Sequence, residues 1–280
     1  MSGLGKTKIG YVGTGADGRA ITFANLRGWN PMVGCTRKCP GCYARAFKAG
    51  RAMSNCLLCN TFTPHIHKDR LDQPQRADNA QVVLVNFFAD TLGPEWARGD
   101  IYQVLYAANA APQHTYVLLT QNPARATVTY ETVGGHVCFR DNPNWFLGCT
   151  IRDQADADAK LPTFLSIPGN LWISYEPARG SVDWKWRDYW EHDAARGRVH
   201  QPRITGAIIG HDNRKGAPGT DTLDHIRGCR AQCMDAGISS FVKQVWIGGK
   251  LLHASKPSEY ALYPEDLRGG RLPWSAPGGA

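Results

Sequence analysis

Three cysteines stand at positions 35, 39 and 42 in the run G-C-T-R-K-C-P-G-C-Y-A, which extends from Gly34 to Ala44 with C-x3-C-x2-C spacing. Three thiolates on one short loop can each bind one iron of a [4Fe–4S] cube, leaving the fourth iron without a protein ligand and open to chemistry. Pro40 and Gly41 suit the tight turn such a loop needs. Zinc is the rival reading: Cys56, Cys59 or a histidine would complete a four-ligand site, although C-x3-C-x2-C is not a usual zinc spacing. Three unrelated buried thiols are the third reading.

Six further cysteines complete a total of nine. Cys56 and Cys59 have C-x2-C spacing, and Cys229 and Cys233 fall at i and i+4 on one face of a helix. Together these pairs are candidates for a zinc site or a second cluster, which His65 and His67 could join; the alternative is that Cys229 and Cys233 pack as small hydrophobes. Cys138 and Cys149 stand alone. The opening MSGLGKTKIGYVG lacks the apolar core of a signal peptide, and no apolar run approaches the roughly 18–20 residues needed to span a bilayer. The cysteines therefore point to metal or redox chemistry in a reducing compartment, the expected location being the cytoplasm.

Composition sets wider bounds. Of 280 residues, 42% are hydrophobic and 20% charged, which places the chain among globular proteins and argues against disorder. Lys and Arg exceed Asp and Glu by 32 to 24, a formal +8. That excess favours a polyanionic partner such as DNA, but the basic residues are scattered, with short concentrations at Arg45–Lys48–Arg51, Lys185–Arg187 and Arg196–Arg198. Trp184, Trp186 and Trp190 are candidates for base stacking, with packing the favoured reading.

The elements that must position the cysteine loop follow from periodicity. Short, nearly continuous apolar runs at 82–88, 116–120, 145–151, 171–175, 204–210 and 240–246 read as buried parallel strands, and 20–25 as an earlier one. Helical segments lie between them at 95–110, 123–130, 154–166 and 221–236, the last stopped by Gly237. About seven βα units predict an α/β fold, a full or partial TIM-like (β/α) barrel spanning 1–268, with a loose tail over 269–280. In such a barrel the polar residues ending the strands line the active site. Here they are Asp90, Thr120, Gln121, Thr150, Arg152, Glu176, His211, Asp212, Lys243 and Gln244.

Trp29-Asn30-Pro31, the cysteine loop, and the runs HKDRL (67–71), VNFFAD (85–90), APQHTYVLLT (111–120), WFLGCTIRDQ (145–154), SYEPARGSV (174–182), AIIGHD (207–212) and FVKQ (241–244) carry a resemblance along almost the whole chain. The chain resembles a phage and bacterial family of radical S-adenosylmethionine (SAM)-like proteins, formerly known only as uncharacterised phage proteins. The resemblance implies a radical SAM barrel with its cluster loop at 34–44. It implies a [4Fe–4S] cluster on Cys35, Cys39 and Cys42 and SAM as cofactor. Tyr43, Asp90, Thr120, Gln121, Thr150, Arg152 and Glu176 become candidate SAM contacts, with Asp90 matching the methionyl contact after the second strand. His211, Asp212 and Lys243 become candidate catalytic groups.

Two positions depart from the pattern: Gly41 stands where an aromatic commonly precedes the last cysteine, and Gly210-His211-Asp212 replaces Gly-Gly-Glu. The implied partners are DNA or a modified nucleotide, with thymine hypermodification in phage DNA as the leading chemistry, and an electron donor such as flavodoxin or ferredoxin. A phage-encoded chain would work in the host cytoplasm. A radical SAM enzyme acting on a small metabolite or peptide, and a non-catalytic zinc-dependent nucleic-acid-binding module, are the alternatives; oligomeric state is left open.

Overall fold

The computed structural model describes residues 3–48, 55–126, 142–186 and 203–275. The expected positions 127–130 of one helix, Cys138, Trp190, Arg51, Arg187, Arg196, Arg198 and residues 276–280 lie outside them. In chain order the strands are β1 (Gly5–Lys6), β2 (Gly13–Thr14), β3 (Ala20–Ile21), β4 (Leu26–Trp29), β5 (Met32–Val33), β6 (His65–Ile66), β7 (Val82–Val85), β8 (Thr115–Thr120), β9 (Trp145–Thr150), β10 (Asn170–Tyr175), β11 (Arg203–Gly210), β12 (Ser240–Ile247) and β13 (Lys250–His253).

Among the described residues a nine-stranded sheet runs in the order β1-β4-β7-β8-β9-β10-β11-β12-β13. Every pairing from β4 to β12 is parallel, and only the flanking β1 and β13 run antiparallel. This α/β sheet has the sequential order that short right-handed βα crossovers generate. All six later apolar runs are strands. The earliest strand of the series is β4, not 20–25: Ala20–Ile21 instead pairs with Gly13–Thr14 in a separate ribbon. The run 20–25 ends in a turn, where Asn25 accepts from the Thr22 amide and so cannot continue a ladder.

Near-continuous hydrophobicity has a direct cause, since both faces of the sheet are covered. Val83, Val85, Tyr116, Leu118, Trp145, Leu147, Leu171, Ile173, Ala207 and Ile209 face one core, shared with Ile101 and Val104 of the helix Arg98–Asn109 and Ile226 of the helix Asp224–Asp235. The alternate residues Val82, Leu84, Val117, Phe146, Trp172, Ile208 and Phe241 face a second core closed by Tyr11, Ile21, Leu272 and Trp274 from the two ends of the chain. The stretch after Gly269 is therefore no loose tail over its described part. The Leu272 amide donates to Thr14 O, the Ala16 amide to Trp274 O, and both Leu272 and Trp274 are fully buried.

The C-terminus of the helix Asp224–Asp235 follows the expected chemistry. Gly237 has φ +67°, and the Ile238 amide returns to Cys233 O at 2.8 Å, a glycine-stopped C-terminus. Cys229 and Cys233 are buried on the inner face of that helix, in the same core as Trp184 and Trp186. These two indoles stack at 5.1 Å with nearly parallel planes, so they pack rather than offer platforms to bases.

Trp172 shows how the second core is fitted. It pairs with Gly148 across β9 and β10, and a Cβ on Gly148 would lie 2.2 Å from its indole. Gly148→Ala should therefore cost about 1–3 kcal/mol through overpacking, and Trp172→Leu in the same chain should recover part of the loss. Urea denaturation of the single and double variants checks this.

Candidate functional site

The cysteine loop leaves β5 and enters the short helix Tyr43–Lys48. Its start is fixed from several sides. Asn86 Oδ1 accepts from the Met32 amide at 3.0 Å, Asn30 Oδ1 accepts from the Phe88 amide at 3.1 Å, and the Gly34 amide donates to Phe88 O. Gly34 has φ +94°, and a Cβ there would fall 2.5 Å from the Thr63 carbonyl carbon, so only glycine lets the loop lie against residues 63–64.

Cys35, Cys39 and Cys42 are free thiols lining one cavity of about 240 Å³. The same cavity is lined by Tyr43, Asp90, Thr120, Gln121, Thr150, Arg152 and Glu176, so it gathers all seven residues expected to contact a cofactor. Six of them converge because they sit on or after the C-terminal ends of β7 to β10, the rim where a parallel sheet carries ligands, and Tyr43 joins them from the start of the helix that follows the cysteine loop.

Asp90 is the most heavily bonded of them. Thr120 Oγ1 and the Leu92 amide donate to Oδ1 at 2.7 and 3.0 Å; the Gln121 amide and Asn122 Nδ2 donate to Oδ2 at 2.9 and 2.8 Å. Burial raises its pKa, and these donors oppose the rise. Asn122 in turn accepts from Arg37 Nη2 at 2.6 Å, and Gln121 Nε2 points to Cys39 Sγ at 3.7 Å, so the hub reaches the cysteine loop. Arg45 donates to Cys35 O at 2.8 Å from the other side.

The remaining expected residues divide. Glu176 accepts from Lys243 Nζ at 2.9 Å and from Tyr11, and Lys243 also stands over the Tyr11 ring. Lys243 thus meets the cavity only through Glu176. His211 is buried with both ring nitrogens engaged: the Trp246 amide donates to Nδ1 at 2.9 Å, which leaves the proton on Nε2 facing Thr222 O at 3.0 Å. Burial lowers its pKa, so it is a neutral structural link between strand end and loop. Asp212 holds Arg214 through two side-chain bonds of 3.0 and 2.7 Å.

Gly41 has φ +71°, a left-handed conformation that favours glycine, and it lies beside the Arg214 side chain that Asp212 holds. Tyr43, just past the last cysteine, puts an aromatic ring in the cavity wall, with its hydroxyl donating to Phe87 O.

Sequence reasoning missed Arg37, Phe62, Asn122, Arg179 and Arg214. Arg179 lies within the SYEPARGSV run, a strand-end position like those read as candidates. Phe62 gave no signal, because its place in the cavity wall depends on a fold-back of residues 55–67.

The donor set can be tested against a cluster. Cys35 Sγ accepts from the Arg37 amide at 3.3 Å and Cys39 Sγ has Gln121 beside it, the kind of N–H to sulfur contact that tunes iron–sulfur centres. Burial pushes the Cys35 thiol up to about 12, against the opposing Arg37 amide. A metal ion bound to that sulfur would hold it as the thiolate. Gln121 Oε1 and Arg179 Nε, in two residues that line the cavity, are buried with no hydrogen-bond partner among the described residues.

Elsewhere the described residues draw a group of metal-ligating side chains together. Cys56 Sγ, Cys59 Sγ, His65 Nε2 and His67 Nε2 offer donor atoms that all lie within 4.8 Å of one another, a group able to hold a metal ion. Cys229 and Cys233 take no part in it.

The family described as "Protein of unknown function (DUF5131)" matches residues 19–262. The chain belongs to that family. No curated protein and no solved structure matches the chain. The match in this DUF5131 protein takes in the cysteine loop, all the strands from β4 to β13 and every cavity residue named above. No helix among its described residues is long and apolar enough to cross a membrane.

Arg152 reaches the cavity because Asp156 grips it, with Nη2 to Oδ1 at 2.9 Å, while Lys160 Nζ approaches the same Asp156 oxygen at 2.9 Å. Burial raises the Asp156 pKa, but the bonds from Arg152 and Lys160 outweigh it and hold the carboxyl at about 2. Its folded value lies below the unfolded one, so its stabilisation is present above about pH 4 and is lost as pH falls through 2. Discounted for solvent screening, Asp156→Asn should cost on the order of 1 kcal/mol at pH 7 and flatten the stability profile between about pH 2 and 4. Denaturation at stepped pH measures both.

Proposed function

We propose that this protein is a radical SAM enzyme whose cysteine loop carries a [4Fe–4S] cluster, and that its sheet is a partial (β/α) barrel of that type. The observation that carries the reading is the convergence of three free thiols, Tyr43 of the cysteine loop and six residues that follow the parallel strands on one cavity. Cys35, Cys39 and Cys42 would hold the cluster, which supplies, with SAM bound and one electron from an external donor, homolysis of the SAM C5′–S bond and a 5′-deoxyadenosyl radical. The chain's own residues orient and enclose. Arg152, set by Asp156, offers a fixed guanidinium for a carboxylate, and Thr150 and Glu176 offer acceptors for amino or hydroxyl groups.

Asp90 acts here as the bracket that holds the β7 and β8 rim against the loop, since four donors already occupy its two oxygens. Tyr43, Phe87 and Phe88 give the cavity an apolar side that excludes water from reactive species. Glu176 lines the cavity, with Lys243 and Tyr11 holding its carboxylate from behind.

Anaerobic reconstitution should give about four irons per chain, absorbance near ~400 nm and SAM cleavage, all abolished by Cys39→Ala. A chain that takes up no iron under these conditions sinks the reading.

For substrate we propose a nucleobase, or an amino acid attached to one, in DNA. Support comes from the +8 charge and from Arg37, Arg152 and Arg179 around the cavity. A base within a duplex would have to be extruded to reach a site of this size. Mass spectrometry of DNA nucleosides from cells with and without the protein should reveal a changed nucleoside. Identical profiles would move the assignment to a small metabolite or peptide.

A further inference from the structure

The segment 55–67 folds back on itself. Residues Leu57–Asn60 make one helical turn, Phe62 takes a left-handed φ of +54°, and β6 returns antiparallel to β5. This path puts a C-x2-C pair opposite an H-x-H pair, and residues two apart on an extended strand face the same way.

The distances are those of a coordination shell. His65 Nε2 lies 3.4 Å from both Cys56 Sγ and Cys59 Sγ, His67 Nε2 lies 3.1 Å from Cys59 Sγ, and the two Nε2 atoms are 2.8 Å apart. A tetrahedral ion with bonds of about 2.0 Å to nitrogen and 2.3 Å to sulfur needs donor separations of about 3.3–3.8 Å. The two edges from His65 to the cysteines fall in that range, the His67–Cys59 and His65–His67 edges are shorter, and all four donor atoms lie within 4.8 Å of one another. Ring tautomers agree: His65 Nδ1 sits 2.7 Å from Thr63 O, a pure acceptor, which puts the proton on Nδ1 and turns the Nε2 lone pair inward. Asp69 Oδ1, 3.9 Å from His67 Nδ1, favours the same tautomer in the second ring. Two inward lone pairs and two thiol sulfurs converge on one point that a cation would satisfy.

We propose that Cys56, Cys59, His65 and His67 bind one structural Zn²⁺ ion, separate from the Cys35–Cys39–Cys42 site. Two thiolates and two neutral imidazoles neutralise the ion and fill its four positions, so the centre is closed and holds structure rather than a reacting group. What it holds is the back of the cysteine loop. Thr63 is the residue against which Gly34 presses, and Phe62, between the ligand pairs, forms part of the cavity wall beneath the Arg45 guanidinium.

The test is metal analysis of the full chain purified in air. We expect ~1 zinc per chain, retained when Cys35, Cys39 and Cys42 are all changed to Ser, and under ~0.1 in Cys59→Ser and His67→Ala. His67→Cys, which restores a fourth ligand, should keep the zinc and so separates ligand loss from misfolding. Cobalt exchanged into the wild type should show the visible absorption of a tetrahedral thiolate site. Zinc absent from the wild type, zinc lost in the triple Ser variant, or zinc retained in Cys59→Ser would overturn the proposal. Because zinc and iron are measured separately, a failure of the cluster assignment leaves this result intact.

Discussion

The site depends on a single carboxylate. Asp90 follows β7, and its two oxygens collect donors from Leu92, Thr120, Gln121 and Asn122, which ties the ends of β7 and β8 together. A partly buried charge is tolerable only when its lone pairs are satisfied, and here the satisfying groups carry the connection onward. Asn122 uses its remaining oxygen to hold Arg37, and Gln121 turns its amide toward Cys39. The cysteine loop is thus positioned by a relay that begins at one strand end.

A second set of contacts holds the loop from the opposite rim. Asp212, after β11, fixes Arg214 against Gly41, while Trp246 donates its indole N–H to Asp212 O and its amide to His211. His211 and Asp212 thus have packing roles, and through Arg214 these reach the loop. The fold-back at 55–67 gives a third point of support, where backbone meets backbone at Gly34 and Thr63. Three supports around one short loop are what a site needs if its ligands must keep their geometry under the pull of a metal.

The second core explains why the chain ends are ordered parts of the fold. One face of the sheet is covered by crossover helices, but the other would be left apolar and exposed without Tyr11, Ile21, Leu272 and Trp274. Tyr11 also hydrogen-bonds Glu176, so the packing that closes this face also holds one residue of the cavity wall.

The strands were legible in the residue pattern, because a chain buried on both sheet faces must be apolar at nearly every strand position, and so was the cysteine loop, because residue spacing is local. The pattern also picked out the strand-end residues that share the cavity, since a parallel sheet brings its C-terminal ends to one rim. Only the tertiary structure decided which of those residues face the cavity directly. His211 and Lys243 have the right types and positions, yet Trp246, Thr222 and Glu176 occupy their polar atoms. Likewise Cys56 and Cys59 were visible as a pair, but whether their partners are Cys229 and Cys233 or His65 and His67 depends on how distant segments pack, which spacing does not encode. The burial of Leu272 and Trp274 in a stretch that reads as loose has the same cause: a Gly- and Pro-rich end shows no periodicity, and its place is set by the gap it fills.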